Sequence, residues 1–127
     1  MPLVRVSITT GRTREEKHAI ADAIYEAMRL TINIPENDRF IAISEHADGD
    51  LIADPGFMGI SRSENAMFVE ITLRQGRTVE VKQALYRKIV ENLADAPGVR
   101  KEDVLIALRE NDLADWSFGN GEAQYVK

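Results

Sequence analysis

Apolar and polar residues alternate through LVRVSIT, residues 3 to 9, and the β-branched content of that run predicts a strand. Gly11 interrupts the alternation, and Thr13 followed by Glu16 has the spacing of a capping box, the mark of a helix start. Beyond it Ala19, Ile20, Ala23, Ile24, Ala27 and Met28 recur at intervals of three and four. That period predicts a helix to about Leu30, ending ahead of the turn at Asn33-Ile34-Pro35. RFIAISE, Arg39 to Glu45, reads as a second strand, so the first third of the chain is β-α-β.

The same pattern is then written again, 65 positions on. GRTREEK at Gly11 returns as GRTVEVK at Gly76, between the predicted strand Phe68 to Arg74 and a helix with an apolar stripe of Val81, Leu85, Ile89 and Leu93. Asp103 to Glu110, DVLIALRE, closes the second unit. Asp38, Ile41, Ala42 and Glu45 fall on Asp103, Ile106, Ala107 and Glu110 in one frame, which points to an internal duplication. The expected domain is α/β (α+β), a single unit over residues 1–127 with repeats at about 2–45 and 67–110. Each crossover makes its two strands parallel, giving a four-stranded mixed sheet with two helices on one face. The bare opposite face predicts an oligomer. Residues 46–66 are expected as a loop with a short strand or hairpin, and residues 111–127 as a glycine-rich tail around Trp116.

Composition narrows the function. With 127 residues, 44% apolar and 29% charged, the chain is sized for one globular domain. Its net charge of −5, from 16 basic and 21 acidic residues without a basic cluster, opposes nucleic-acid binding. No apolar run is long enough to span a membrane and MPLVRVSITT is unlike a secretory signal, so no membrane role and a cytoplasmic location are the expectation. Cysteine is absent, which removes thiolate chemistry. Two histidines, His18 and His46, are too few for a multi-histidine metal site, so no metal is expected.

Pro2 is the first candidate for chemistry. An initiator Met before so small a residue is normally removed, which would leave a secondary amine anchored by the strand at Leu3. Such a nitrogen can act as base, acid or nucleophile toward a carbonyl, although Met-Pro is also a common start with no such role. Arg77 has a counterpart in Arg12 and Asp38 in Asp103, so a shared turn role accounts for both pairs. Arg74 differs: its counterpart is Thr9. A guanidinium at a strand end beside a helix N-terminus suits a carboxylate, with Arg77 as a second arm. Trp116 and Phe118 either seal a subunit edge or wall a pocket.

MPLVRVSITTGRT, PENDRF at Pro35 to Phe40, SRS at Ser61 to Ser63, and DVLIALREN with ADWSFG ending at Gly119 resemble the tautomerase superfamily, and within it the malonate semialdehyde decarboxylase group. The likeness covers nearly the whole chain. It implies a tautomerase-like fold, most simply a homotrimer, working with no cofactor on a small carboxylate-bearing carbonyl compound. By position it makes Pro2 the catalytic amine and Asp38 its acidic partner, with Arg74 and Arg77 holding the substrate carboxylate and Trp116 and Phe118 lining the pocket. The group's best-known member has one residue between its two arginines; here Gln75 and Gly76 intervene. The implied reaction is decarboxylation of malonate semialdehyde to acetaldehyde, with Pro2 as a cationic acid or an imine-forming amine. The alternative is keto-enol tautomerisation of a phenylpyruvate-like acid with Pro2 as general base, with weak hydratase activity on the side. A non-enzymatic role by surface recognition would instead leave the Pro2 nitrogen covered and dispensable.

Overall fold

The computed structural model describes residues 1–126. Its elements run β1 (Leu3–Thr9), α1 (Arg14–Ile32), β2 (Phe40–His46), β3 (Met67–Arg74), α2 (Val79–Asp95) and β4 (Val104–Asn111). The strands form one four-stranded sheet in the order β2-β1-β3-β4, with β1 parallel to β2, β3 parallel to β4, and the two halves joined antiparallel through β1 and β3. The mixed sheet and the two helices are those the periodicity predicts.

Period-2 patterning decides which face of the sheet is covered. Val4, Val6 and Ile8 of β1 and Val69, Ile71 and Leu73 of β3 are buried beneath both helices. Against them pack Ile20, Ile24, Ala27 and Met28 of α1 and Leu85, Ile89 and Leu93 of α2. Each fully buried aliphatic side chain of this kind contributes about 1.5–3 kcal/mol. The helices are tied directly as well: Asn92 Nδ2 donates to the carbonyl of Ala23 at 3.0 Å.

The two helix starts match closely. Gly11 and Gly76 have φ of 125° and 122°, a left-handed region that favours glycine. The caps that follow, Thr13 and Thr78, have φ/ψ of −70°/166° and −75°/165°. Each threonine hydroxyl accepts the N–H three residues on, from Glu16 at 3.1 Å and from Val81 at 3.2 Å. Behind each cap a lysine reaches the end of the second strand of its own half, Lys17 to Glu45 at 2.8 Å and Lys82 to Glu110 at 3.0 Å.

Between β2 and β3 the expected short strand or hairpin does not form. The segment is a chain of turns with one 3-10 turn at Phe57–Gly59, held by Arg62, whose guanidinium donates to the carbonyls of Asp54 and Phe57 at 3.1 and 3.0 Å. With its turn formers so closely spaced, no run is left long enough to pair. The second strand of each half also begins one residue later than the alternation suggests, and Asp103 lies in a 3-10 turn ahead of β4.

Candidate active site

The chain terminus, the loop before β2 and the end of β3 converge at one end of the sheet. Asp38 sits in the turn Pro35–Arg39, where its N–H donates to the Pro35 carbonyl at 3.2 Å. Helix α1 pins this turn: the Tyr25 hydroxyl accepts the N–H of Asn37 at 3.1 Å. Arg39 lies 4.8 Å over the Tyr25 ring and pairs with Asp22. With its backbone fixed on both sides, the Asp38 carboxylate is directed at the terminal amine, here that of Met1, with which it forms an ion pair. Pro2, the next residue, is buried.

Arg74 ends β3, in register with Asn111 of β4, and Arg77 lies in the turn before α2. The Arg77 guanidinium donates to the Arg74 carbonyl at 2.9 Å, which folds it back beside the first arginine. Burial and then the neighbouring Arg74 hold Arg77 below the ordinary guanidinium range, against an opposing effect of Glu110. Both arginines act on the terminus. Burial first, then the positive charges of Arg77 and Arg74, push the Met1 amine from 8.0 down to about 5. A carboxylate in contact, as Asp38 is, acts in the opposite sense.

The tail completes the arrangement. Gln75, one of the two residues between the arginines, donates its N–H to the Asn111 carbonyl at 2.8 Å, and its side chain contacts Asp112. Trp116 Nε1 donates to Asn111 Oδ1 at 2.8 Å, which sets the indole. Phe118 stacks on Trp116 with ring centres 5.4 Å apart and lies 6.4 Å from Phe40. Gln124 closes the loop, accepting the Phe118 N–H and donating to the Gly119 carbonyl, both at 2.9 Å. Pro2, Leu3, Phe40, Trp116, Ser117 and Phe118 line a cavity of about 200 Å³. Arg74 and Arg77 line a separate one of about 460 Å³ with Thr31, Asn33 and Val81. The terminal amine is acted on by both guanidinium groups of the second cavity and is paired with Asp38, while Pro2, the next residue, lines the first.

Sequence reasoning missed three contributors. Tyr25 and Arg39 fix the turn that carries Asp38. Tyr125 packs edge-on to Phe118 at 5.0 Å, and Arg74 influences its hydroxyl, whose pKa burial nonetheless raises. Asp103, the counterpart of Asp38, is used differently: it is buried, and it accepts the Ser63 N–H and hydroxyl, both at 2.7 Å. A shared turn role therefore does not cover both aspartates. His18 is exposed on α1, and His46 ends β2 with Nε2 buried and unpartnered. Among the described residues no group of three His, Cys, Asp or Glu side chains is placed to hold a metal ion, and no helix is long and apolar enough to cross a membrane.

The duplicated β-α-β sheet carries a half-buried chain terminus paired with an aspartate and influenced by two arginines. Residues 2–57 and 38–119 match two family profiles, each described as a tautomerase enzyme, and the chain is an enzyme of the tautomerase superfamily. Among curated proteins it is 38% identical over 127 residues, the whole of both chains, to "Probable tautomerase YusQ" of Bacillus subtilis (strain 168). Among solved structures it resembles FG41 malonate semialdehyde decarboxylase inhibited by 3-bromopropiolate: 42% identity, 98% of this chain and 94% of that one, TM-score 0.93. A second malonate semialdehyde decarboxylase, solved as wild type, proline-to-alanine mutant and inactivated enzyme to explain decarboxylase and hydratase activities, shares 31% identity over 98% of this chain and 95% of that one, with a TM-score of 0.92. A fused 4-OT symmetric trimer matches at 28% identity over 94% of each chain, with a TM-score of 0.78.

Proposed function

We propose that the protein is a cofactor-independent decarboxylase that converts malonate semialdehyde to acetaldehyde and CO2. The observation that carries this reading is the terminal amine paired with Asp38 and under the influence of Arg74 and Arg77. The two decarboxylase structures matched along nearly the whole chain support it. Removal of Met1 would hand the terminal position to the ring nitrogen of Pro2, one residue along the same strand start and already lining the aromatic cavity.

Arg74 and Arg77 would hold the substrate carboxylate, and the aldehyde carbon would face the Pro2 nitrogen. Burial and two cations disfavour protonation of the Met1 amine while Asp38 favours it, and a Pro2 nitrogen in the same surroundings would be drawn toward the neutral form by the first two. A neutral secondary amine adds to an aldehyde to give a carbinolamine, which takes up one proton from solvent on its hydroxyl and loses water to form an iminium ion. Cleavage of the bond to the carboxylate releases CO2, and the bonding electrons pass to the iminium nitrogen, giving an enamine. Protonation at carbon and hydrolysis then yield acetaldehyde and the free amine. The bound carboxylate offsets the two guanidinium charges, so the cation at nitrogen is disfavoured less once substrate is present. Asp38 stabilises that same cation. These surroundings favour the imine route over a Pro2 that is cationic in the free enzyme.

Borohydride reduction during turnover of malonate semialdehyde tests the route: a stable adduct on Pro2 is expected, and active turnover with no trapped adduct would favour the cationic acid. A second reading, keto-enol tautomerisation of a phenylpyruvate-like acid, is favoured by the same low pKa, since a general base must be neutral. We also assign a homotrimer, because the uncovered sheet face carries Leu3, Phe40 and Leu105 at 44%, 48% and 45% exposure and a 28% identical relative is a symmetric trimer.

A further inference from the structure

The internal repeat contains two versions of the arginine turn. In the first half Thr9, Gly11, Arg12 and Glu16 line a cavity of about 280 Å³. Their counterparts 65 residues on, Arg74, Gly76, Arg77 and Val81, line the larger one. The backbone of the two turns is the same, as the paired glycine and threonine torsions show. The surroundings of the two guanidinium groups are not. Arg12 donates to Glu16 Oε2 at 3.2 Å, while Glu16 Oε1 accepts the Thr13 N–H at 3.1 Å. One carboxylate thus closes the helix cap and occupies the arginine. That backbone bond, ahead of the contribution of Arg12, keeps the Glu16 carboxyl below its usual range and so ionised. At the matching place in the second half stands Val81. Among the described residues no acidic side chain is within ion-pair distance of Arg77, and Glu110, whose negative charge acts on it, is engaged by Lys82.

We propose that Val81 is a specificity-determining residue: an apolar side chain at the position where the first half carries Glu16 leaves the Arg77 guanidinium without an internal anion and open to the carboxylate of a substrate. The first half, with the same turn and the same arginine, is self-neutralised. This inference rests on Arg74 and Arg77 gripping the substrate carboxylate, and it adds a position that touches neither the reacting atoms nor the amine. Its basis is geometric. A glutamate at 81 would stand four residues after Arg77, as Glu16 stands four after Arg12, on a backbone of the same torsions.

The test compares Val81→Glu, Val81→Gln and Arg77→Ala in the full-length enzyme, reading KM for malonate semialdehyde and Kd for malonate. Glutamine has the length of glutamate and can close the cap, but it brings no charge. Val81→Glu is expected to weaken both constants by at least about tenfold, the scale of one charge-assisted hydrogen bond, with kcat changed far less. Val81→Gln should weaken them several-fold less, and the thermal midpoints of the two variants should lie together. Equal losses in both variants would overturn the proposal, because size and packing would then be the cause. Unchanged malonate binding in Val81→Glu would overturn it as well. If Arg77→Ala leaves malonate binding intact, the arginine clamp itself fails, and the assignment of Val81 falls with it. If Arg77→Ala weakens binding and Val81→Glu does not, the clamp stands and only Val81 is misassigned.

Discussion

At the scale of single residues, the account turns on how one amine is surrounded. Burial and two guanidinium groups lower it, and a single carboxylate opposes them. If Pro2 inherits these surroundings, the neutral amine of the free enzyme is the active form. Its protonation on acidification then removes activity, so kcat/KM should fall as the pH drops through a pKa lying below that of an ordinary terminal amine. A cationic acid predicts the opposite, a loss as the pH rises. Asp38→Asn keeps the shape and removes the charge; decarboxylation should drop by about 100-fold or more, while ketonisation of enol-phenylpyruvate persists. Equal decarboxylation rates in wild type and Asp38→Asn would remove Asp38 from the mechanism. If Arg74 orients the carboxylate as proposed and does not receive the electrons, Arg74→Ala should raise KM for malonate semialdehyde by about tenfold or more and affect kcat less.

At the scale of elements, each helix start is set by a threonine whose hydroxyl takes one of the free N–H groups of the first turn. Thr13→Ala and Thr78→Ala should each cost about 1 kcal/mol, read as a lower urea midpoint at unchanged slope; no shift in either would show that packing alone fixes the helix starts. These caps, the strands and the helices were legible because each shows in the local period of the chain. The candidate site was legible only in part. Arg74 stood out because its repeat partner is Thr9, and Asp38 because PENDRF resembles a known motif. The roles of Tyr25 and Arg39 were not readable, since Tyr25 and Asp22 of α1 meet the Asp38 turn and its Arg39 only after α1 has folded back along the sheet. Tyr125 was hidden for a similar reason: glycine-rich tails have no period, and its contact with Phe118 depends on the Gln124 bridge. The hairpin expected within 46–66 failed because turn formers alone do not supply a partner strand.

At the scale of the whole molecule, the helices cover one side of the sheet and leave the other uncovered. That side is apolar at its ends, with Leu3 beside Phe40 and Phe68 beside Leu105, and charged across its middle, where Glu70 pairs with Arg109 at 3.4 Å. A face with apolar ends and an internally paired centre suits burial against other copies of itself. Sedimentation velocity should give a trimer for the wild type and a shift toward smaller species for Leu105→Lys, which places a charge on that face. A wild-type monomer at assay concentration would refute the assembly. Because Leu3 and Phe40 also line the Pro2 cavity, loss of the trimer should lower activity too.

The central claim is that a processed terminus does the chemistry. Intact-mass spectrometry of fully active enzyme tests it most directly. The account predicts a chain beginning at Pro2. Full specific activity in molecules that still carry Met1 would contradict it.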